Sequence, residues 1–195
     1  MAYDSKTALL VVDVQNDFAD PEGSLYVTGG EEAIWFINAQ LAEARHSGAT
    51  LVYTQDWHPD TTPHFEKDGG IWPVHCVGGT KGAEFHPELV VHEDAVFVKK
   101  GTGGEDGYSA FNVSDPVTGE ITPTGLADRL REDGIEKVVV VGLALDYCVK
   151  ASALDAVAEG FETTVLADCC RPVNLAPGDG ARAVVEMTEA GVEVV

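Results

Sequence analysis

Residues 137–148 read KVVVVGLALDYC, and the fold is decided there. Lys137 to Gly142 is a β-branched apolar run, the pattern of a strand buried on both faces. Such strands belong to parallel sheets, whose crossover helices cover both faces. A tight loop follows. Tyr147 to Glu159 then carries Val149, Ala153, Leu154 and Val157 at helical spacing, and Gly160 stops it. The stretch is therefore strand, loop and helix, with Cys148 at the helix start.

The same alternation extends both ways. Upstream, Ala8–Val14 reads as a buried strand, Glu31–Ser47 as a helix ended by Gly48, and Thr50–Asp56 as a second strand. Ala95–Lys99 reads as a third strand and Gly125–Asp133 as a helix. Downstream come a strand at Glu162–Ala167, a helix at Pro177–Ala190 and a last strand at Val192–Val195. The order predicts an α/β, three-layer αβα architecture on a mainly parallel sheet of about six strands. No linker or repeat interrupts residues 1–195, so a single domain is expected. Thr54 to Glu93 breaks the rhythm with about forty residues rich in His, Pro and Gly, a length that marks functional loops.

Composition narrows the partners. The chain has 195 residues, 45% of them hydrophobic and 23% charged, which excludes global disorder. Twelve Lys and Arg against 33 Asp and Glu leave a net charge of −21. Such a surface repels phosphate backbones and anionic lipid, so no nucleic acid or membrane partner is expected. The longest apolar run, Val138 to Leu145, falls far short of the roughly twenty residues of a spanning helix. The opening MAYDSKTALLVV lacks the pattern of a signal peptide, so the cytoplasm is the expected address. Four cysteines without CxxC spacing read as thiols rather than bridges.

In an open parallel sheet the chemistry collects at the C-terminal strand ends. Asp13 lies there, a carboxylate inside an apolar run, where burial demands a partner. Its two readings are a carboxylate satisfied by backbone N–H groups and a general base. Lys99 and Lys100 offer a cation, and strand alternation lets only one point inward. Cys148 at a helix start is expected to favour the thiolate and to sit beside N–H groups able to hold an oxyanion. Its plain alternative is a small buried packing residue. No histidine lies near Cys148 in sequence, so Asp13 is the expected proton acceptor. Five of six histidines fall between 58 and 92. Asp56 and His58, with His64 and His75 following, suit zinc, iron or manganese better than calcium. A merely polar loop is the alternative. His46, His86 and His92 read as surface or packing residues.

Five ordered blocks carry a resemblance: VVDVQNDF (11–18) with GSL (23–25), TQDWHPDTTPHF (54–65), IWPVHCVGGTKGAEFHPEL (71–89), VFVKKGTGGEDGYSAF (96–111) and VVVVGLALDYCVKASALDA (138–156). On them the chain resembles the nicotinamidase (pyrazinamidase) branch of the isochorismatase-like cysteine hydrolases, whose fold is Rossmann-like, from Ala8 to the C-terminus. The resemblance implies a triad of Asp13, Lys100 and Cys148, choosing Lys100 over Lys99. It implies one divalent metal ion (Zn, Fe or Mn) on Asp56, His58, His64 and His75, orienting a ring nitrogen. It implies a cis peptide at Leu143–Ala144 and an oxyanion hole of the Ala144 and Cys148 N–H groups. Phe18, Trp72 and Tyr108 look like the walls of an aromatic-ring pocket. Tyr147 stands where many relatives have His, which changes the polarity expected of that pocket. The implied partner is a small aromatic carboxamide, and the implied reaction is hydrolysis of nicotinamide, with pyrazinamide, through a cysteine thioester. The rivals are an amidase of the same superfamily acting on N-carbamoyl or ureido substrates, a non-catalytic metal-binding homologue, and redox sensing at Cys169–Cys170. Exposed helices of this fold often pair, which leaves a homo-oligomer open.

Overall fold

The apolar runs lie side by side. The computed structural model describes residues 3–195. Six strands form one sheet: β1 (Thr7–Val12), β2 (Thr50–Asp56), β3 (Val96–Lys100), β6 (Lys137–Leu143), β7 (Glu162–Arg171) and β8 (Glu193–Val194), in the order β3-β2-β1-β6-β7-β8. Every pairing in it is parallel. A small antiparallel pair, β4 (Asn112–Ser114) and β5 (Ile121–Pro123), stands apart. Its short strands lie in a Gly- and Asp-rich stretch without apolar alternation, and the sequence reading left them out.

Both faces of the sheet are covered. Leu9, Val11, Tyr53, Val139 and Val141 point to one side and pack against Ile34, Ile37 and Leu41 of α2 (Gly30–His46). Ala8, Leu10, Val52, Val138 and Val140 point to the other. There they meet Leu126 and Leu130 of α3 (Leu126–Glu132), Ala153 and Ala156 of α4 (Lys150–Ala158) and Met187 of α5 (Asp179–Glu189). Period-two alternation feeds each strand into two cores, which is why these strands read as unbroken apolar runs. No helix among the described residues is long and apolar enough to cross a membrane.

Most boundaries shift by one or two residues, and three of the differences bear on the site. β1 stops at Val12, because Asp13 takes a left-handed φ of 48° that ends the extended run. The expected helix from Tyr147 divides into a π-turn, Leu145–Val149, and α4 beginning at Lys150. β7 runs ten residues rather than six, with a register shift against β6 between Val140 and Gly142. A short helix α1 (Asn16–Ala19) was also missed, because four residues carry too little periodicity to see.

Candidate active site

Chain order reverses between β1 and β6: β2 and β3 lie to one side, β7 and β8 to the other. The crevice at the C-terminal ends of β1 and β6 is thus the topological switch point, where sheets of this kind receive ligands. Val12 pairs with Gly142 there, so Asp13 and the loop after β6 emerge side by side. Gly142 has φ 119°, and a Cβ on it would run into the Val12 carbonyl. Only glycine lets the two strands approach this closely.

Asp13 has no exposed surface, and neither has Lys100. Lys100 Nζ donates to Asp13 Oδ2 at 2.7 Å and to the Gly107 and Tyr108 carbonyls at 2.5 and 3.3 Å. The Thr54 hydroxyl donates to Asp13 Oδ1 at 2.5 Å and accepts the Asp13 backbone N–H at 3.2 Å. Burial alone would lower the Lys100 ammonium, but the charges of Asp13, Cys148 and Asp56 outweigh it and hold it above its ordinary value. Burial pushes the Asp13 carboxyl up, against the pull of Lys100. Lys99 points the other way, 3.3 Å over the Trp57 ring.

Cys148 is buried in the π-turn. The Val149 N–H reaches back five residues to the Ala144 carbonyl at 3.1 Å, and Lys150 does the same to Leu145. Such turns recur at functional sites. The Leu143–Ala144 peptide is cis. The expectation of a resting thiolate does not hold. Burial pushes the Cys148 thiol well above its ordinary value; Lys100 opposes this, while Asp13 and Asp56 raise it further by charge and, for Asp13, by a side-chain hydrogen bond. The helix proper begins only at Lys150, so the sulfur is not at its tip. The resting site is a thiol beside a carboxylate–ammonium pair.

Asp56 closes β2, and His58, His64 and His75 converge on it from the irregular segment. His58 Nε2 lies 3.1 Å and His75 Nε2 3.5 Å from Asp56 Oδ2. Ligand atoms of the three histidines lie within 4.8 Å of one another, and all three are buried. His75 Nδ1 donates to the Pro73 carbonyl at 2.7 Å, which turns the lone pair of Nε2 toward the cluster. Asp56 Oδ1 and His58 Nδ1 are buried without a hydrogen-bond partner. Burial, then the neighbouring His58, lowers His64 to about 4, so its imidazole is neutral at neutral pH. Burial would raise Asp56, but His58 and His75 hold it below its ordinary value. Three clustered imidazoles, a carboxylate and orphaned buried atoms fit a divalent cation.

A pocket opens between the two groups. Cys148 and Ala144 form its base, Asp56, His64 and His75 one side, and Phe18, Leu25, Trp72, Tyr108, Tyr147 and Val173 its walls. Trp72 Nε1 donates to the Tyr108 hydroxyl at 2.9 Å, and Tyr147 meets Trp72 edge to face at 4.8 Å. All the sequence-predicted residues therefore gather at one crevice. His46 is on the surface and His92 is half-buried, and His86 is buried away from the cluster. Cys169 and Cys170 are free thiols pushed up to about 11 and about 12, chiefly by burial. The sequence reading missed Thr54, although it shares the β2 face with Asp56 at period two. It also missed Gln15, whose amide grips the Asp56 backbone and the Ala83 carbonyl. No local pattern announces that reach across the fold.

An αβα hydrolase-like sheet with this crevice defines one class. The family model for the Isochorismatase domain matches residues 7–195, and the chain belongs to that family. It is 38% identical to the nicotinamidase of Escherichia coli (strain K12), over 94% of this chain and 92% of that one. Among solved structures it resembles the pyrazinamidase of Pyrococcus horikoshii in complex with zinc, with a TM-score of 0.86, 38% identity, and 97% and 98% of the two chains covered. It also resembles PnC1 from L. infantum in complex with nicotinate, with a TM-score of 0.90, 36% identity, and 100% and 95% covered.

Proposed function

We propose that this chain is a nicotinamidase acting in the cytoplasm as one domain, converting nicotinamide, and pyrazinamide, to the carboxylate and ammonia. The observation that carries the reading is the Cys148 thiol facing the buried Asp13–Lys100 pair at the base of an aromatic-walled pocket beside the histidine cluster.

Asp13 takes the Cys148 proton as the sulfur attacks the carboxamide carbon. Lys100 stays protonated throughout and stabilises the negative charge that passes between carboxylate and thiolate. A neutral resting thiol suits this order, because the proton leaves only when the carbonyl is in place. The Ala144 and Cys148 N–H groups receive the oxyanion. The C–N bond breaks, and Asp13 returns its proton to the departing ammonia. Water then attacks the thioester, Asp13 takes the water's proton, and the acid leaves as the proton returns to sulfur. Phe18, Trp72, Tyr108 and Tyr147 hold the ring and exclude bulk water. Asp56, His58, His64 and His75 would hold a divalent metal, zinc, iron or manganese, whose chemistry there is that of a Lewis acid anchoring a ring nitrogen.

Ammonia release from nicotinamide, compared with N-carbamoyl and ureido compounds, tests the substrate. Cys148→Ala is expected to lose about four orders of magnitude in turnover with its fold intact. A chelator is expected to raise KM steeply, and zinc, iron or manganese to restore it. Turnover surviving in Cys148→Ala would end the proposal, and faster release from a ureido compound would move the chain to that branch of the family.

A further inference from the structure

Asp146 lies two residues before Cys148 in the same π-turn, and the reaction above makes no use of it. It is a carboxylate with 5% of its surface exposed. Its Oδ1 accepts the Val173 backbone N–H at 2.9 Å, and its Oδ2 accepts the Asn174 N–H at 2.8 Å. Those residues belong to the segment that joins β7 to α5. Val173 is a wall of the pocket above Cys148, and Asn174 holds a left-handed φ of 54°. The Asn174 side chain in turn accepts the Gly180 N–H at 2.9 Å at the start of α5.

Two consecutive N–H groups on the two oxygens of one carboxylate fix a segment in both position and rotation. Neutral amide–carbonyl bonds from a flexible loop would fix it less firmly, because bonds to an ionised acceptor are about twice as strong. The wall is therefore referenced to the turn that carries the nucleophile as well as to the sheet end at Arg171, which pairs with Leu143. The pocket's width at Val173 follows from that reference.

We propose that Asp146 is a positioning residue that sets substrate selectivity: by clamping Val173 and Asn174 to the nucleophile turn, it limits the ring substituents a heteroaromatic carboxamide can carry. This rests on the nicotinamidase reading. A loosened wall binds the parent ring less well and excludes a larger one less well, while the reacting groups stay in place.

The test uses Asp146→Asn and Val173→Ala, with nicotinamide, 5-methylnicotinamide and 6-methylnicotinamide as probes. Asp146→Asn keeps the size but sets an amide NH2 against a backbone N–H. It is expected to raise KM for nicotinamide about tenfold while kcat changes less than about threefold. Discrimination against at least one methylated ring is expected to relax by about tenfold, and Val173→Ala should relax the same one. Hydrogen exchange at the Val173 and Asn174 amides should quicken by about tenfold or more in Asp146→Asn. Unchanged exchange at those amides, or loss of kcat in step with KM, would overturn the proposal. Where Asp146→Asn fails to fold, Val173→Ala decides alone, and unaltered selectivity there overturns it. A wild-type protein inert to nicotinamide would defeat the functional reading instead, and the exchange measurement would still judge the clamp.

Discussion

A lysine ammonium and an aspartate carboxylate, both without exposed surface, meet at 2.7 Å. Each alone would be costly to bury; together, with the Thr54 hydroxyl and two carbonyls, they leave no charge unpaired. Removing one partner should therefore cost more than removing both. Lys100→Met is expected to destabilise the fold by roughly 3–5 kcal/mol, and addition of Asp13→Asn to recover part of that, as read by urea unfolding. A double variant no more stable than Lys100→Met would show that the pair is not the source of the cost. His64 gives a pH dependence. In the unfolded chain it takes a proton near 6.5, and in the fold only near 4, because burial and then His58 oppose its charge. Between those values the unfolded state binds more protons, so stability falls as pH falls and levels off below about 4. In metal-stripped protein this loss should reach about 3 kcal/mol. His64→Gln should lack it, and equal acid sensitivity in the two proteins would contradict this origin.

At the scale of elements, the β1–β6 pair and the turn after β6 carry the site. Gly142 permits the approach: its φ of 119° and its contact with the Val12 carbonyl leave no room for a Cβ. Gly142→Ala is expected to cost roughly 3–5 kcal/mol in urea unfolding, combining the left-handed penalty with forced strand separation. A loss under about 1 kcal/mol would show that the strands part easily. The π-turn is the second device. Its extra residue per turn carries the chain from Ala144 to Cys148 over the pocket base before α4 begins at Lys150. The third is the irregular segment between β2 and β3. With only two 3-10 turns of its own, it is held by Gln15, which bonds the Asp56 backbone and the Ala83 carbonyl, and by Asp17, which accepts the Cys76 N–H at 2.7 Å beside His75.

For the whole molecule, the dominant fact is the net charge of −21 on 195 residues. Most of these carboxylates lie on the surface, where they repel one another and oppose the compact state. Salt shortens the screening length from about 30 Å at 0.01 M to about 3 Å at 1 M. The melting temperature is therefore expected to rise by about 5–10 °C over that range in scanning calorimetry. A melting temperature that fell with salt would mean that exposed pairs such as Lys6–Glu136 and Arg45–Asp94 outweigh the repulsion.

The architecture was legible in the chain because its signal is local. Apolar strands filling two cores read as continuous runs, and the helices declare themselves by spacing and terminal glycines. The gathering of Asp13, Asp56, Lys100 and Cys148 at one sheet edge follows from topology once the strands are placed. Lys100 and Lys99 had to face opposite ways because side chains alternate along a strand. The histidine set and the aromatic walls were legible only as ordered blocks resembling a family. Tertiary structure alone decided the rest. Whether Cys148 rests as thiol or thiolate depends on the balance among burial, Lys100 and two carboxylates, none of them its neighbours in sequence. The reach of Thr54, Gln15 and Asp146 to backbone groups 27 to 68 residues away likewise has no local signature. Patterning records which face of an element is buried, whereas desolvation and long-range hydrogen bonds depend on what the folded chain brings against that face.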